Sequence, residues 1–202
     1  MLCTFCRNDL PFTDYNFHEE NILDHIFYGR IHVKKVSSLL FFSQKGIVKN
    51  FLHHLKYKNQ EKIGLFLGDI YGHILKKQGG LEQIDLIIPV PLHYKKLKKR
   101  GYNQVDKFGE QLAHHMNVPF CKNILVKTAN TKTLTKKNRS SRWQSTKELY
   151  AIKNALFLKN KKVLLIDDII TTGATIEACG TALLNVEGLE LYVATIATVP
   201  SF

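Results

Sequence analysis

The thirteen residues from Val163 to Thr175, VLLIDDIITTGAT, constrain the fold of this chain more than any other stretch. Val163, Leu164, Leu165 and Ile166 form a continuous apolar run that leads straight into Asp167 and Asp168. Such a run predicts a strand buried on both faces. Adjacent carboxylates lose hydration in a core unless they find partners, so they are expected at the strand's carboxyl end. That end is where open α/β sheets take their ligands. Thr171, Thr172, Gly173, Ala174 and Thr175 then offer hydroxyls and backbone N–H groups at an expected helix start, a setting suited to holding a phosphate.

The rest of the chain repeats the alternation. Val36–Phe42 and Ile84–Val90 read as strands, Ile124–Val126 as a short strand and Leu191–Val199 as the last one. Ile47, Val48, Phe51, Leu52 and Leu55 fall at helical spacing, in a helix ending at Lys56-Tyr57-Lys58. Ile63, Phe66, Leu67, Ile70, Tyr71, Ile74 and Leu75 form a second stripe, stopped by Gln78-Gly79-Gly80. A third helix is expected from Gly101 or Asn103 to Met116, and a fourth over Thr175–Leu184. Strands alternating with helices predict a parallel sheet covered on both faces. Residues 1–35 read as a small irregular module and residues 36–202 as the α/β domain. Ala129–Thr146 is polar, basic and without period, the mark of a long functional loop.

Hydrophobic residues make up 45% of the chain, which supports a packed core. No apolar run approaches the roughly 20 residues needed to span a bilayer. The opening MLCTFCRNDLPFTD lacks a basic and then apolar leader, so no secretory signal is read and a cytoplasmic protein is expected. The net charge of +12 favours anionic partners. Arginine is scarce, and three of the five arginines, Arg100, Arg139 and Arg142, fall in segments placed near the expected site. Cys3 and Cys6 form a CxxC, which inside a cell points to zinc or redox chemistry. The following Asn8-Asp9-Leu10-Pro11 suits a zinc-knuckle turn. His18 and His25 are then the nearest candidates to complete a tetrahedral set, with Asp14 as a further one. Cys121 and Cys179 read as packed free thiols.

Val163–Thr175 resembles the signature segment of the type I phosphoribosyltransferases, which binds phosphoribosyl pyrophosphate (PRPP). The resemblance implies that Asp167 and Asp168 take the ribose hydroxyls. It also implies that Thr171, Thr172, Gly173, Ala174 and Thr175 wrap the 5-phosphate. Pro89-Val90-Pro91, the basic run to Arg100 and the ending Arg100-Gly101-Tyr102-Asn103-Gln104 are similar to segments of the ComF family. So are Leu55-Lys56-Tyr57-Lys58 and the N-terminal CxxC, so this likeness covers nearly the whole chain.

By that likeness Val90, Pro91 and Arg100 lie on the pyrophosphate side, where family members often expose an amide through a non-proline cis peptide. Lys56 would neutralise a phosphate, Lys95, Lys96, Lys98 and Lys99 read as a solvated run, and Asp167, Asp168 and Arg100 would be catalytic. Thr133, Leu134, Arg139, Arg142 and Trp143 resemble the family's closing loop. Many relatives carry a four-cysteine zinc module, whereas only Cys3 and Cys6 stand here. The implied function is Mg2+-dependent phosphoribosyl transfer to an unknown acceptor in DNA uptake, on the inner face of the membrane. The alternatives are a PRPP-sensing regulator, or an accessory factor that binds single-stranded DNA through basic loops and Tyr94, Tyr102 and Trp143.

Overall fold

The computed structural model describes residues 7–79, 84–128 and 149–200. Cys3, Cys6, Thr133, Leu134, Arg139, Arg142 and Trp143 lie outside the described residues. In chain order the elements are α1 (Ile22–His25), β1 (Lys35–Phe41), α2 (Ile47–Tyr57), α3 (Glu61–Gln78), β2 (Leu86–Pro89), α4 (Tyr94–Arg100) and α5 (Asp106–Met116). They continue with β3 (Leu125–Lys127), β4 (Tyr150–Ile152), α6 (Ala155–Leu158), β5 (Lys162–Ile170), α7 (Ala174–Leu183) and β6 (Glu190–Thr198). Strands β1, β6, β5 and β2 lie in that order in one sheet, and all their pairings are parallel. Strands β3 and β4 form a separate antiparallel pair.

Parity along the strands sorts the core into two layers. Leu164 and Ile166 of β5, with Ile87 of β2 and Ala194 and Ile196 of β6, pack against α2, α3 and α5. Val163 and Leu165, with Leu86, Ile88, Leu191 and Val193, pack against α1, α7 and the β3–β4 pair. Successive side chains on a strand face opposite ways, so a strand apolar at every position needs cover on both sides. The N-terminal segment shares these layers: Leu10 and Phe17 join the first, Leu23 and Phe27 the second. Thr13 N donates to Leu39 O, and Phe41 N to Pro11 O, which ties the segment to β1.

Two elements depart from the expectation. Tyr94–Arg100, read as a basic run, is a helix with no buried residue, so it has no apolar stripe to betray it. Its ends are capped instead: His93 Nδ1 accepts from Lys95 N, and Gly101 closes it with φ 86°. Strand β5 runs on to Ile170, because Ile169 and Ile170 still pair with Ala197 and Thr198. The acidic pair therefore sits at the carboxyl end of the strand with two paired residues still to follow it. No peptide bond among the described residues is cis. Among them, too, no helix is long and apolar enough to cross a membrane.

Candidate functional site

Strands β2 and β5 are neighbours, with Pro89 opposite Ile166. Their carboxyl ends therefore send two loops to the same place: residues 90–93 after β2 and 171–173 after β5. At that edge is a cleft of about 250 Å³ lined by the first loop and by Arg100, Asp167, Asp168 and Thr175, among others. Lys56 and Tyr57, at the end of α2, and Lys96 and Gln104 complete one rim. Lys127 and Tyr150, from the β3–β4 pair, complete the other.

The acidic pair is buried, Asp167 at 7% and Asp168 at 5% exposed. Asp167 Oδ1 accepts a 2.8 Å hydrogen bond from Asp168 N. Lys56 Nζ stands 2.6 Å from Asp168 Oδ2. Burial first, and then the neighbouring Asp168 carboxylate, push the Asp167 carboxyl well above the usual carboxylate range. Across the cleft, Lys127 Nζ donates to Tyr150 Oη at 3.0 Å and lies 5.0 Å from the ring centre. Burial lowers the Lys127 ammonium and raises the Tyr150 phenol and the Cys179 thiol behind it. The cleft thus combines a desolvated acidic floor with cationic rims.

The loop after β5 is braced from behind. Gly173 has φ 74°, and a Cβ there would come 2.7 Å from Ile26 Cγ2 and 3.0 Å from Phe27. Only glycine meets both the backbone angle and the space. Arg30 Nη1 donates to Thr172 O at 2.8 Å and to Ile26 O at 3.0 Å, and its Nε donates to Glu177 Oε2 at 3.0 Å. Thr171 and Thr172 are exposed beside Gly173, and Ala174 opens α7.

The loop after β2 has its own brace in Arg100–Gln104. Asn103 Nδ2 donates to Val90 O at 2.9 Å, fixing the Val90–Pro91 turn. The Tyr102 hydroxyl donates to Leu55 O, which ties the end of α2 to the same turn. Gln104 Oε1 accepts from Arg100, whose guanidinium also lies over the Tyr57 ring, 5.9 Å from its centre. A second, outer cleft of about 850 Å³ opens beside the first, lined by Tyr57, Lys95, Lys99 and Tyr102. The two share Lys56, Tyr57, Lys96 and Arg100.

A phosphoribosyl transferase domain model matches residues 107–201, which include the acidic strand and the braced loop. Competence protein F of Haemophilus influenzae is 30% identical over 149 residues, 70% of this chain and 64% of that protein. These likenesses support the ComF family. Competence protein ComFC of Streptococcus pneumoniae is 29% identical over 141 residues, 70% of this chain and 59% of that protein. The chain thus spans less than two thirds of the length of these curated relatives. The glutamine PRPP amidotransferase of B. subtilis superposes with a TM-score of 0.50 and 14% identity, covering 71% of this chain and 30% of that one. The chain has the type I phosphoribosyltransferase fold, a parallel sheet flanked by helices.

Seven residues singled out in the sequence meet in this one place: Lys56, Val90, Pro91, Arg100, Asp167, Asp168 and Thr175 line the inner cleft, whereas Thr171, Thr172, Gly173 and Ala174 do not line it. Lys56, expected to face a phosphate, is paired with Asp168 here. Lys96 is exposed like Lys98, but unlike Lys98 it lines the inner cleft. His18 Nε2 lies 2.7 Å from Gln78 O, and His25 lies 3.1 Å from Glu20 and stacks on Tyr28. Both are exposed and away from the cleft. Sequence reasoning passed over Arg30, Lys127 and Tyr150. A lone arginine after an aromatic pair, and a lysine at the end of a three-residue strand, carry no local signal.

Proposed function

We propose that the inner cleft binds PRPP with Mg2+ and that this chain, as a ComF-type protein, transfers the phosphoribosyl group, releasing pyrophosphate, in a DNA-uptake role. One juxtaposition carries the reading. Asp167, Asp168 and Thr175 on one side, and Val90, Pro91 and Arg100 on the other, face a single cleft at the carboxyl edge of a parallel sheet. The relatives named competence proteins support the role in DNA uptake.

In this reading the two carboxylates accept hydrogen bonds from the ribose hydroxyls, and the 171–175 loop takes the 5-phosphate with its amides and hydroxyls. Two adjacent carboxylates are hard oxygen donors of the kind that suits Mg2+, which keeps several waters and is shared with substrate phosphates. Bound with the substrate, Mg2+ supplies neutralisation of charge on the departing pyrophosphate. Arg100 and Lys96 face the same leaving group from the α4 rim. The bond from ribose C1 to pyrophosphate breaks, its electron pair leaving on the pyrophosphate oxygen. An acceptor lone pair forms the new bond to C1, and the acceptor's proton is lost to solvent.

Calorimetric titration of the full chain with PRPP and Mg2+ tests the site. Binding is expected, with loss in the Asp167→Asn/Asp168→Asn double variant; no heat at millimolar PRPP overturns the proposal. Pyrophosphate release separates an enzyme from a PRPP sensor, which binds without turnover. A second reading is favoured by the outer cleft, where Tyr57 is 70% exposed among Lys95, Lys99 and Arg100. Aromatic faces among cations suit a single-stranded nucleic acid approaching the inner cleft. Filter binding of an oligonucleotide, with its salt dependence, tests it.

A further inference from the structure

We propose that Asp69, His73 and His115 form a binding site for a divalent transition-metal ion, Zn2+ by donor chemistry, that clamps α3 to α5. The three donor atoms all lie within 4.8 Å of one another. Asp69 and His73 are one turn apart on α3 and so share a face. His115 comes from the last turn of α5, its Nε2 3.0 Å from Asp69 Oδ1. His73 Nε2 lies 3.8 Å from the same oxygen, and the two imidazole rings meet at 4.5 Å between centres.

The packing beneath explains why these groups converge. Gly64, Gly68 and Gly72 follow one another at four-residue spacing on α3. A Cβ at Gly64 would meet Lys107 Cβ at 3.3 Å, one at Gly68 would meet Gln111 Cβ at 2.8 Å, and one at Gly72 would collide with the His115 ring. The contacts climb both helices together, so α3 and α5 run parallel along a glycine seam. The His115 ring occupies the space a Cβ at Gly72 would need, with its side chain only 11% exposed. One ligand is therefore fixed by packing, while Asp69 and His73, 54% and 70% exposed, are free to adjust.

Two borderline imidazoles and one carboxylate oxygen form a donor set that suits Zn2+, with an open position left for water. Tetrahedral bonds of about 2.0–2.1 Å place ligand atoms about 3.3 Å apart. The widest separation must then close by about 1.5 Å, within reach of rotamer changes in Asp69 and His73. Ligation uses the His115 Nε2 lone pair, so a ring that donates from Nε2 to Asp69 moves its proton to Nδ1. The site lies on the α3–α5 face, and none of its residues lines either cleft.

Calorimetric titration of the full chain with Zn2+ alone tests the proposal, with three variants beside the natural sequence. One binding event per chain is expected, weakened at least about tenfold in His73→Gln and in His115→Gln, and retained in Cys3→Ser/Cys6→Ser. His73 is exposed, so His73→Gln is expected to fold as the natural chain does by far-ultraviolet circular dichroism, even if His115→Gln does not. PRPP affinity should be the same in His73→Gln. A Zn2+ isotherm unchanged by His73→Gln overturns the proposal. So does an isotherm that disappears with the two cysteines alone.

Discussion

On the β5–α7 wall of the cleft, Asp167 and Asp168 are nearly dry, whereas on the facing α4 wall Lys95, Lys96 and Lys99 stand in solvent. The first wall is held by contacts that leave no slack: Gly173 against Ile26 and Phe27, Arg30 on Thr172 and Glu177. The second is a seven-residue helix with no buried side chain, anchored only at its ends by His93 and by the Gly101–Gln104 turn. The contrast suits the two tasks of the proposed transfer. Ribose hydroxyls and a terminal phosphate need fixed, desolvated partners whose orientation is settled before binding. A leaving pyrophosphate needs charge that can follow it out, and solvated lysines supply that at little cost to the fold.

The largest expected effect falls on the dry wall. In Asp167→Asn one charged acceptor is removed, and PRPP affinity should drop by about 1.5–3 kcal/mol, a factor of roughly 10 to 150. The same change should raise the melting temperature of the free protein at pH 8. Burial and Asp168 raise the Asp167 pKa in the folded state. The folded chain therefore holds that proton to higher pH than the unfolded chain does. Stability contributed by the group is present in acid and is lost as pH rises from the ordinary carboxylate range through the raised folded value. Asparagine removes that loss, so its advantage should shrink as the pH falls. A variant that binds poorly and melts lower at pH 8 would break the contrast between a strained dry wall and a relaxed wet one.

Asn103→Ala probes the anchor of the other wall. It leaves the carbonyl of Val90, a residue 6% exposed, without the Asn103 amide, and should cost about 1–3 kcal/mol in urea denaturation. PRPP affinity should fall with it, because the Val90–Pro91 turn loses its fixed position. If stability drops and affinity does not, the turn does not touch the ligand.

How much of this could be read from the chain depended on how far apart the partners are. The acidic strand and its loop are contiguous, so thirteen residues announced both the strand and the acidic pair that lines the cleft. Strand parity in Leu86–Ile88 and Val163–Ile166 was legible for the same reason. Helix α4 was not, because a helix held by caps without an apolar face has no period. Arg30 reaches a loop 142 residues away, and Lys127 meets Tyr150 across 23 residues that include the long basic segment. The glycine seam of α3 was overlooked because its apolar stripe already accounted for the helix. The family likeness put Arg100, Val90 and Lys56 in one place. It did not reveal that Tyr102 and Asn103 hold that place together.

Arg30→Ala should cost less than the Asn103 change, about 1 kcal/mol, since Arg30 and Glu177 are about one-third exposed. The loss should appear in PRPP affinity more than in melting, because the Thr172 carbonyl is the Arg30 partner within the loop itself. Arg30→Lys keeps the charge but not the planar fork that reaches Ile26, Thr172 and Glu177 together, so it should recover only part of the affinity. Full recovery by lysine would mean that charge, rather than geometry, braces the loop.

The smallest expected effects belong to the wet wall. Lys99→Ala should leave the melting temperature unchanged and alter PRPP affinity little at physiological salt, where exposed charges are screened over about 8 Å. Its signature is expected in single-strand binding, where the log–log salt slope should fall by about 0.7 for each phosphate that is no longer neutralised. Lys98, on the same helix, does not line either cleft and provides the internal comparison. If Lys98→Ala lowers the slope as much as Lys99→Ala, the helix acts as undirected charge and the outer cleft has no part in nucleic-acid binding. If only Lys99→Ala and Lys95→Ala do so, a strand must run along the cleft side of α4, toward the rim that Tyr57 and Arg100 share with the acidic floor.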